Sequence, residues 1–378
     1  MDFAQPNLLY TLAMFAVVIG ILVFIHEMGH YLAGRLFGVK AESFSIGFGK
    51  ELFGWTDKQG TRWKLSALPL GGYVKFLGDM NASSQPSPEM AAVPAAERRH
   101  MFAFKPLWQR AIIVAAGPIT NFLFAIGVFA AFIAIYGHMF TPPVVSKVEA
   151  NSAAAEAGIR PGDRVIELGG RDIDRFEDLI QVVTIHAGMP LDAVILRGDQ
   201  RIELQVRPKV DLMRDRFGNS FERGLLGVRG ARPVIAERQG FEILYYAVDD
   251  TILLTRSIID TLVQVITGRR SVKEMGGPLK IAQFSGQQAS MGLPNFIHFM
   301  ALISINLGFI NLLPVPMLDG GHLFLYAIEG VRRRPLNPKV QEWAFMSGFA
   351  LLISLMLFLT FNDLASFGVF EHLAGLLG

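Results

Sequence analysis

The chain has 378 residues, 51% of them hydrophobic and 18% charged, with a formal net charge of +2. That length allows two or three domains, and the apolar balance favours an integral membrane protein with a soluble part. The near-neutral charge argues against a nucleic-acid partner, and the absence of cysteine excludes disulfides and thiolate metal ligands.

The first predicted element is a transmembrane helix from about Leu8 to Phe37, opening with 18 uncharged, mostly apolar residues, Leu8 to Ile25. Met1 to Asn7 carries no Lys or Arg, so the segment reads as a retained span rather than a cleavable signal. His26-Glu27-Met28-Gly29-His30 closes the run. Two histidines four apart project from one helix face and can share a metal, and Glu27 beside them can take a proton from water. Ionisable groups in such a segment are expensive and usually functional. The bland alternative is a pair of histidines snorkelling near an interface.

Region 38–80 follows. Glu42 to Phe48, Thr61 to Leu68 and Leu70 to Val74 read as strands of a small membrane-associated β-hairpin sheet, with Asp57 to Gly60 as a turn. Residues 81–106 read as a linker, richest in Ser, Pro and Ala up to Ala96. A second span covers about Trp108 to Tyr136, interrupted by Gly117-Pro118 and Asn121. Residues 143–232 read as a compact α+β domain. Its strands fall at Val144 to Val148, Arg164 to Leu168, Leu191 to Leu196 and Arg201 to Val206, and its helices at Ser152 to Ala157 and Phe176 to His186. Gly224-Leu225-Leu226-Gly227 is a glycine loop leading to a last strand. Residues 241–267 have the pattern of an amphipathic helix on a membrane surface, the remainder of 240–292 being a connector.

The third span is Phe296 to Leu313 and the fourth Ala344 to Phe361, with a basic loop over 326–343 and a tail over 364–378. Lys and Arg crowd the loop between spans one and two and recur at Arg332, Arg333, Arg334 and Lys339. Both loops are therefore expected in the cytoplasm, with both termini and residues 137–295 outside. The HEMGH motif then lies toward the cytoplasmic leaflet.

Two histidines leave a catalytic zinc short of a protein ligand. Asp319 is the best candidate, in the run Asn311-Leu-Leu-Pro-Val-Pro-Met-Leu-Asp319-Gly-Gly after span three. Pro314 and Pro316 end the helix, and Gly320-Gly321 permits backbone angles that other residues avoid. A carboxylate on a broken helix can point back into the bundle; the plain alternative is a turn Asp. One zinc per chain would polarise a peptide carbonyl and lower the pKa of its water toward ~7, with Glu27 as base. Asn311 is either a donor to substrate or an interhelical packing amide. His322 reads as structural or supporting, and histidines 100, 138, 186, 298 and 372 have no partner pattern. A transmembrane helix hides its peptide bonds, so an exposed strand edge is expected to receive it unwound, at Ser45 to Phe48 or Gly71 to Val74. Candidate substrate contacts are thus Asn311, Pro314, Gly71, Gly72 and Tyr73. A membrane scaffold with a structural metal and a transporter are the competing readings.

These motifs resemble the site-2-protease family of intramembrane zinc metalloproteases, in its regulator-of-sigma-E branch. The resemblance rests on the HEMGH motif, on Gly117-Pro118-Ile119-Thr120-Asn121, on Asn311 through Gly321, and on Pro69 to Lys75 and Phe361-Asn362-Asp363. It implies His26, His30 and Asp319 as zinc ligands and Glu27 as catalytic base. It implies single-pass transmembrane substrates in the bacterial inner membrane, of the anti-sigma-factor type or remnant signal peptides. It also implies that 143–232 is a PDZ domain, with Gly224 to Gly227 cradling a peptide or C-terminus. The branch is typified by two tandem PDZ domains, and this chain has room for one. The fold class expected is an α-helical membrane protein with four transmembrane helices, a cytoplasmic-side membrane-associated β-hairpin sheet and an inserted extracytoplasmic α+β PDZ domain.

Overall fold

The computed structural model describes residues 6–78, 93–214, 220–267, 276–334 and 336–367. The chain divides into two bodies, one of residues 1–129, 248–255 and 275–378, the other of residues 130–247 and 256–274. Much of the Ser/Pro/Ala-rich linker and most of the C-terminal tail lie outside the described residues.

The first body begins with helix α1, Leu8–Leu36, started by the Asn7 side chain, which accepts from the Tyr10 amide at 2.8 Å. Strands β1 (Ala41–Thr56) and β2 (Arg62–Phe76) follow. Both are longer than the sequence pattern predicts, because each is used twice. Residues 62–65 of β2 pair with 43–46 of β1, which pair on their other side with 72–75, while 51–56 pair with 62–66. The hairpin is therefore four rows wide, with Gly72 to Phe76 along one edge. Aromatic packing fixes it to α1: Phe44 stacks on Trp63 at 4.5 Å, and Tyr31 of α1 meets Trp63 at 5.3 Å and Phe44 at 5.9 Å. Such ring pairs add about 0.5–1.5 kcal/mol each beyond the area they bury.

The segment expected as a linker regains order at helix α2, Ala95–Arg98, and a 3-10 turn, Phe102–Phe104. Phe102 is buried against Phe76, ring centroids 5.5 Å apart, so apolar burial orders this stretch despite its composition. Helix α3, Leu107–Tyr136, runs unbroken through Gly117, Pro118 and Asn121, where the sequence predicts an interruption. Proline removes one hydrogen bond, and a helix of 30 residues packed among neighbours tolerates that.

The second body carries the remainder of α3 and then β3 (His138–Phe140), β4 (Val145–Val148), α4 (Ala153–Glu156), β5 (Arg164–Leu168), β6 (Arg171–Asp172), α5 (Phe176–Ile185), β7 (Leu191–Arg197) and β8 (Gln200–Val206). Strands β9 (Lys209–Arg214), β10 (Ser220–Leu225), β11 (Val228–Gly230) and β12 (Val234–Ala236) complete it. A four-stranded sheet has the order β6-β5-β7-β8, and β11 pairs with β4. The β9–β10 hairpin is absent from the sequence prediction, and it absorbs Gly224 and Leu225 of the glycine loop into a strand. The core is built from Val145, Val165, Leu168, Leu179, Ile195 and Val206, all almost fully buried.

Beside that core, the buried Asp163 carboxylate accepts two hydrogen bonds from Arg197, each 2.8 Å, and one from the Arg160 amide at 2.7 Å. The Arg197 guanidinium holds the Asp163 carboxyl below the usual carboxylate range. A lowered folded-state value means the stabilisation is present above the ordinary pKa, near ~3.9, and is lost as pH falls through the folded value. Asp163→Asn should therefore melt at lower temperature than wild type at pH 7. Calorimetry of the full chain should show that gap closing as pH falls below the ordinary carboxylate value, near ~3.9. A gap independent of pH would show that the charge is not what stabilises this corner.

Helix α6, Phe241–Ile266, matches the predicted amphipathic helix. Part of the expected connector is instead helix α7, Pro278–Ser290. Its start is held by the fully buried Asp363 carboxylate, which accepts from the amides of Gly277, Leu279 and Lys280 at 3.0 to 3.2 Å. Helices α8 (Leu293–Leu312), α9 (Asp319–Arg332) and α10 (Pro338–Ser366) follow. The predicted basic loop over 326–343 is mostly helix. Its turn is tied down by buried Glu329, which accepts from the Leu336 amide at 3.0 Å and from Gln341 at 3.2 Å. Among the described residues, four helices, α1, α3, α8 and α10, are long and apolar enough to cross a membrane.

Candidate active site

The site is assembled from α1, α3 and the start of α9. His26 and His30 lie on successive turns of α1, with Nε2 atoms 3.3 Å apart. Asp319, the first residue of α9, brings Oδ2 to 3.1 Å from His26 Nε2 and Oδ1 to 3.5 Å from His30 Nε2. One ligand atom from each of the three falls within 4.8 Å of the others; His26 is buried and the His30 side chain is 12% exposed.

The donor set fits a zinc ion. His30 Nδ1 lies 2.9 Å from the Ile113 carbonyl, which can only accept, so Nδ1 carries the proton and Nε2 keeps its lone pair. His26 Nδ1 lies 3.1 Å from Asn121 Nδ2, and exchanging the amide nitrogen and oxygen by a flip puts Oδ1 in that place. The amide rotamer that lets Oδ1 accept from Nδ1–H satisfies the otherwise unpartnered, buried Oδ1 and frees His26 Nε2 in the same way. Asp319 Oδ2 is buried and makes no hydrogen bond despite its closeness to His26. Three lone-pair donors thus converge with no proton assigned between them.

Glycines make the convergence possible. A Cβ on Gly117 would overlap His30 Nε2, and one on Gly29 would overlap the Ala116 carbonyl and Thr120. α1 and α3 consequently pack at backbone contact. The turn carrying Asp319 corrects one expectation. Gly320 and Gly321 have no left-handed backbone; they are helical, and a side chain on either would strike the carbonyls of Leu312, Leu313 or Val315. The unusual angle belongs instead to Met317, at φ 81°. Close packing, not backbone freedom, is the reason for glycine at both positions.

A cavity of about 670 Å³ adjoins the three donors. It is lined by Glu27, by Gly71, Gly72 and Tyr73 of β2, by Asn311 of α8 and by His322 of α9. Pro314 is exposed and lies off that lining. His322 packs its ring against Phe345, centroids 4.7 Å apart. Gly224 to Gly227 lie elsewhere, lining a smaller groove of about 220 Å³ in the second body with Phe176, Ile180 and Val183 of α5.

Asn121 and Gly117 enter the sequence argument only as an interruption of span two and as part of a resemblance. Their contacts with the two histidines come from residues ~90 positions apart in the chain, which spacing cannot reveal. Asn121→Ala should weaken zinc binding by about 10–100-fold, the range for loss of a group that orients a ligating histidine. Zinc titration against a competing chelator checks this, and an unchanged affinity would remove Asn121 from the site.

Comparison with known proteins agrees with this geometry. The model of peptidase family M50 matches residues 14–355. A protein of Agrobacterium fabrum assigned by name to the zinc metalloproteases is 44% identical over 362 residues, covering 93% of this chain and 95% of its own. One of Rhizobium meliloti, assigned likewise, is 42% identical over 96% of this chain and 99% of its own. Metalloprotease MmpA of Caulobacter vibrioides is 36% identical over 95% and 96%. Among solved structures, the PDZ domain of an SdrC-like protein from Listeria monocytogenes aligns at 17% identity and TM-score 0.18. It covers 24% of this chain and 88% of its own, too slight a likeness to argue from. With the family model spanning nearly the whole chain over a buried His-His-Asp cluster and an adjacent glutamate, the chain belongs to peptidase family M50, the site-2-protease type of membrane metallopeptidase.

Proposed function

We propose that the chain is a zinc-dependent intramembrane endopeptidase that cleaves transmembrane segments of single-pass membrane proteins in regulated intramembrane proteolysis. The observation that carries this reading is the place of the site. His26, Glu27 and His30 lie within a helix long and apolar enough to span a bilayer, and the Asp319 turn follows directly on another. Substrate must therefore be presented at membrane depth, as a transmembrane helix is.

Zinc, when held by His26, His30 and Asp319, supplies Lewis acidity toward a peptide carbonyl and acidifies the attacking water. Glu27 faces the same cavity and takes the proton from that water, then returns it to the leaving amine. Asn311 lines the same cavity and donates its amide to the substrate backbone. The edge of β2 at Gly71 to Val74 receives the unwound segment by strand addition, presenting its carbonyls outside any helix.

The family resemblance points to substrates of the anti-sigma-factor type, already trimmed outside the membrane, and to remnant signal peptides. The family resemblance points to a bacterial inner membrane, and the distribution of Lys and Arg puts both termini outside and the site toward the cytoplasmic leaflet. The second body acts as a PDZ module. Its groove between α5 and Gly224 to Gly227 takes a peptide or C-terminus, or excludes bulky substrates. The test is co-expression with candidate single-pass proteins, reading out fragments by mass spectrometry in wild-type and Glu27→Gln chains. Fragments that appear equally in both would refute the reading.

A further inference from the structure

Strands β3 and β12 are the two ends of one insertion. β3 follows α3 after a single residue, Gly137, and β12 precedes α6. They pair antiparallel, Val234 with Phe140, Ile235 with Met139 and Ala236 with His138. The chain therefore leaves α3 and returns to α6 through one two-stranded ribbon, with residues 141–233 inserted between its strands.

The two faces of the ribbon differ. Successive strand residues point to opposite faces, and residues directly opposite one another share a face. One face carries His138 and Phe140, whose rings stack at 5.7 Å. His138 is buried and stacks on Tyr246 of α6 at 4.6 Å. The Arg238 guanidinium lies over the Tyr246 ring at 4.1 Å and over the Phe140 ring at 6.0 Å. That packing holds the ribbon on the first turns of α6 and turns its other face outward. The outward face holds Met139 and Ile235, side by side across the ribbon and 69% and 66% exposed. Large apolar side chains paired on such a ribbon invite association if they face water.

Their surroundings share the apolar character. Tyr136, which ends α3, and Phe241 and Tyr245, one turn apart on α6, are also exposed. From Ala111 to Ser146 there is no Asp, Glu, Lys or Arg, so the charge-free run of α3 continues through β3 and beyond it. α3 is long and apolar enough to cross a membrane, and Met139 follows its last residue by three positions. Three residues reach at most about 11 Å. The headgroup layer is about 5–8 Å thick on each side of the hydrocarbon, so the ribbon starts within or beside it. Tyrosines at both chain ends match the aromatic belt of that layer.

We propose that the outward face of the β3–β12 ribbon, centred on Met139 and Ile235, docks into the lipid interface of the leaflet at which α3 ends. Its partner is the bilayer itself, met at the boundary of headgroups and acyl chains. The ribbon thereby anchors the inserted domain at the point where the chain leaves α3 and rejoins α6. The anchor is independent of proteolysis and rests only on α3 crossing the bilayer.

The chain has no cysteine, so one introduced thiol is a unique probe. The test uses the full-length protein in phosphatidylethanolamine–phosphatidylglycerol nanodiscs holding one chain each. The variants are Met139→Cys, Ile235→Cys and, for comparison, Asp199→Cys in the exposed turn between β7 and β8. A charged, membrane-impermeant maleimide should alkylate the two ribbon positions at least about tenfold more slowly than Asp199→Cys, as for side chains about 5–10 Å into the interface. A fluorophore attached at either ribbon position should be quenched more by lipids spin-labelled near the headgroup than by lipids labelled at the chain end. The two positions report separately, should one variant fold poorly. Alkylation as fast as at Asp199→Cys would mean that the face meets water. Slow alkylation without lipid quenching would mean that protein covers it, and protection found only in vesicles crowded with the protein would mean that a second copy does. Each of these would overturn the proposal.

Discussion

Glu27→Gln should lower turnover by about 10²–10⁴-fold while the purified variant still binds one zinc per chain. Glutamine preserves the size of the side chain, so the close packing of Gly72 against its Cγ is undisturbed. What it lacks is an oxygen able to hold a proton. The donors themselves, His26, His30 and Asp319, do not include residue 27 and keep their mutual distances of 3.1 to 3.5 Å. Zinc content by mass spectrometry of the metal and turnover on the same preparation must therefore separate. Loss of both together would mean that Glu27 holds the metal, and retained turnover would mean that another group is the base.

Gly117→Ala should have a comparable effect by the opposite route, costing zinc first and activity as a consequence. The added methyl would overlap His30 Nε2, the donor atom, and His30 cannot swing aside freely because its Nδ1 is held by the Ile113 carbonyl at 2.9 Å. The alternative is to separate α1 from α3, and the approach of Gly29 to Ala116 leaves that interface no slack. A displaced ligand should weaken zinc by about 100-fold or more, the upper end of what loss of an orienting group alone costs. Chelator competition reads the affinity directly. Near-normal zinc binding in a folded Gly117→Ala chain would mean that His30 binds from a different rotamer.

The four long apolar helices and the pairing of His26 with His30 were legible because each depends on local pattern. An apolar run of 18 residues has few folds open to it, and histidines four apart share a helix face whatever surrounds them. Asp319 was reachable because Pro314 and Pro316 break the helix before it. The role of the glycines after it was not, since only the packed structure shows that Gly320 and Gly321 meet carbonyls of residues 312, 313 and 315. The β9–β10 hairpin and helix α7 escaped for a related reason. Each is held by partners distant in sequence, as Asp363 holds the start of α7 across 83 to 86 positions.

By itself, then, the sequence determined which segments form long apolar helices and which side chains are candidate metal donors, because hydrophobic length and helical period act within one segment. Only the tertiary structure decided how those side chains are held: Asn121 and Ile113 behind the imidazoles, Gly117 beneath one of them, and the β2 edge against Glu27. Contacts of that kind join residues tens of positions apart, and they exist only once close packing has brought the segments together.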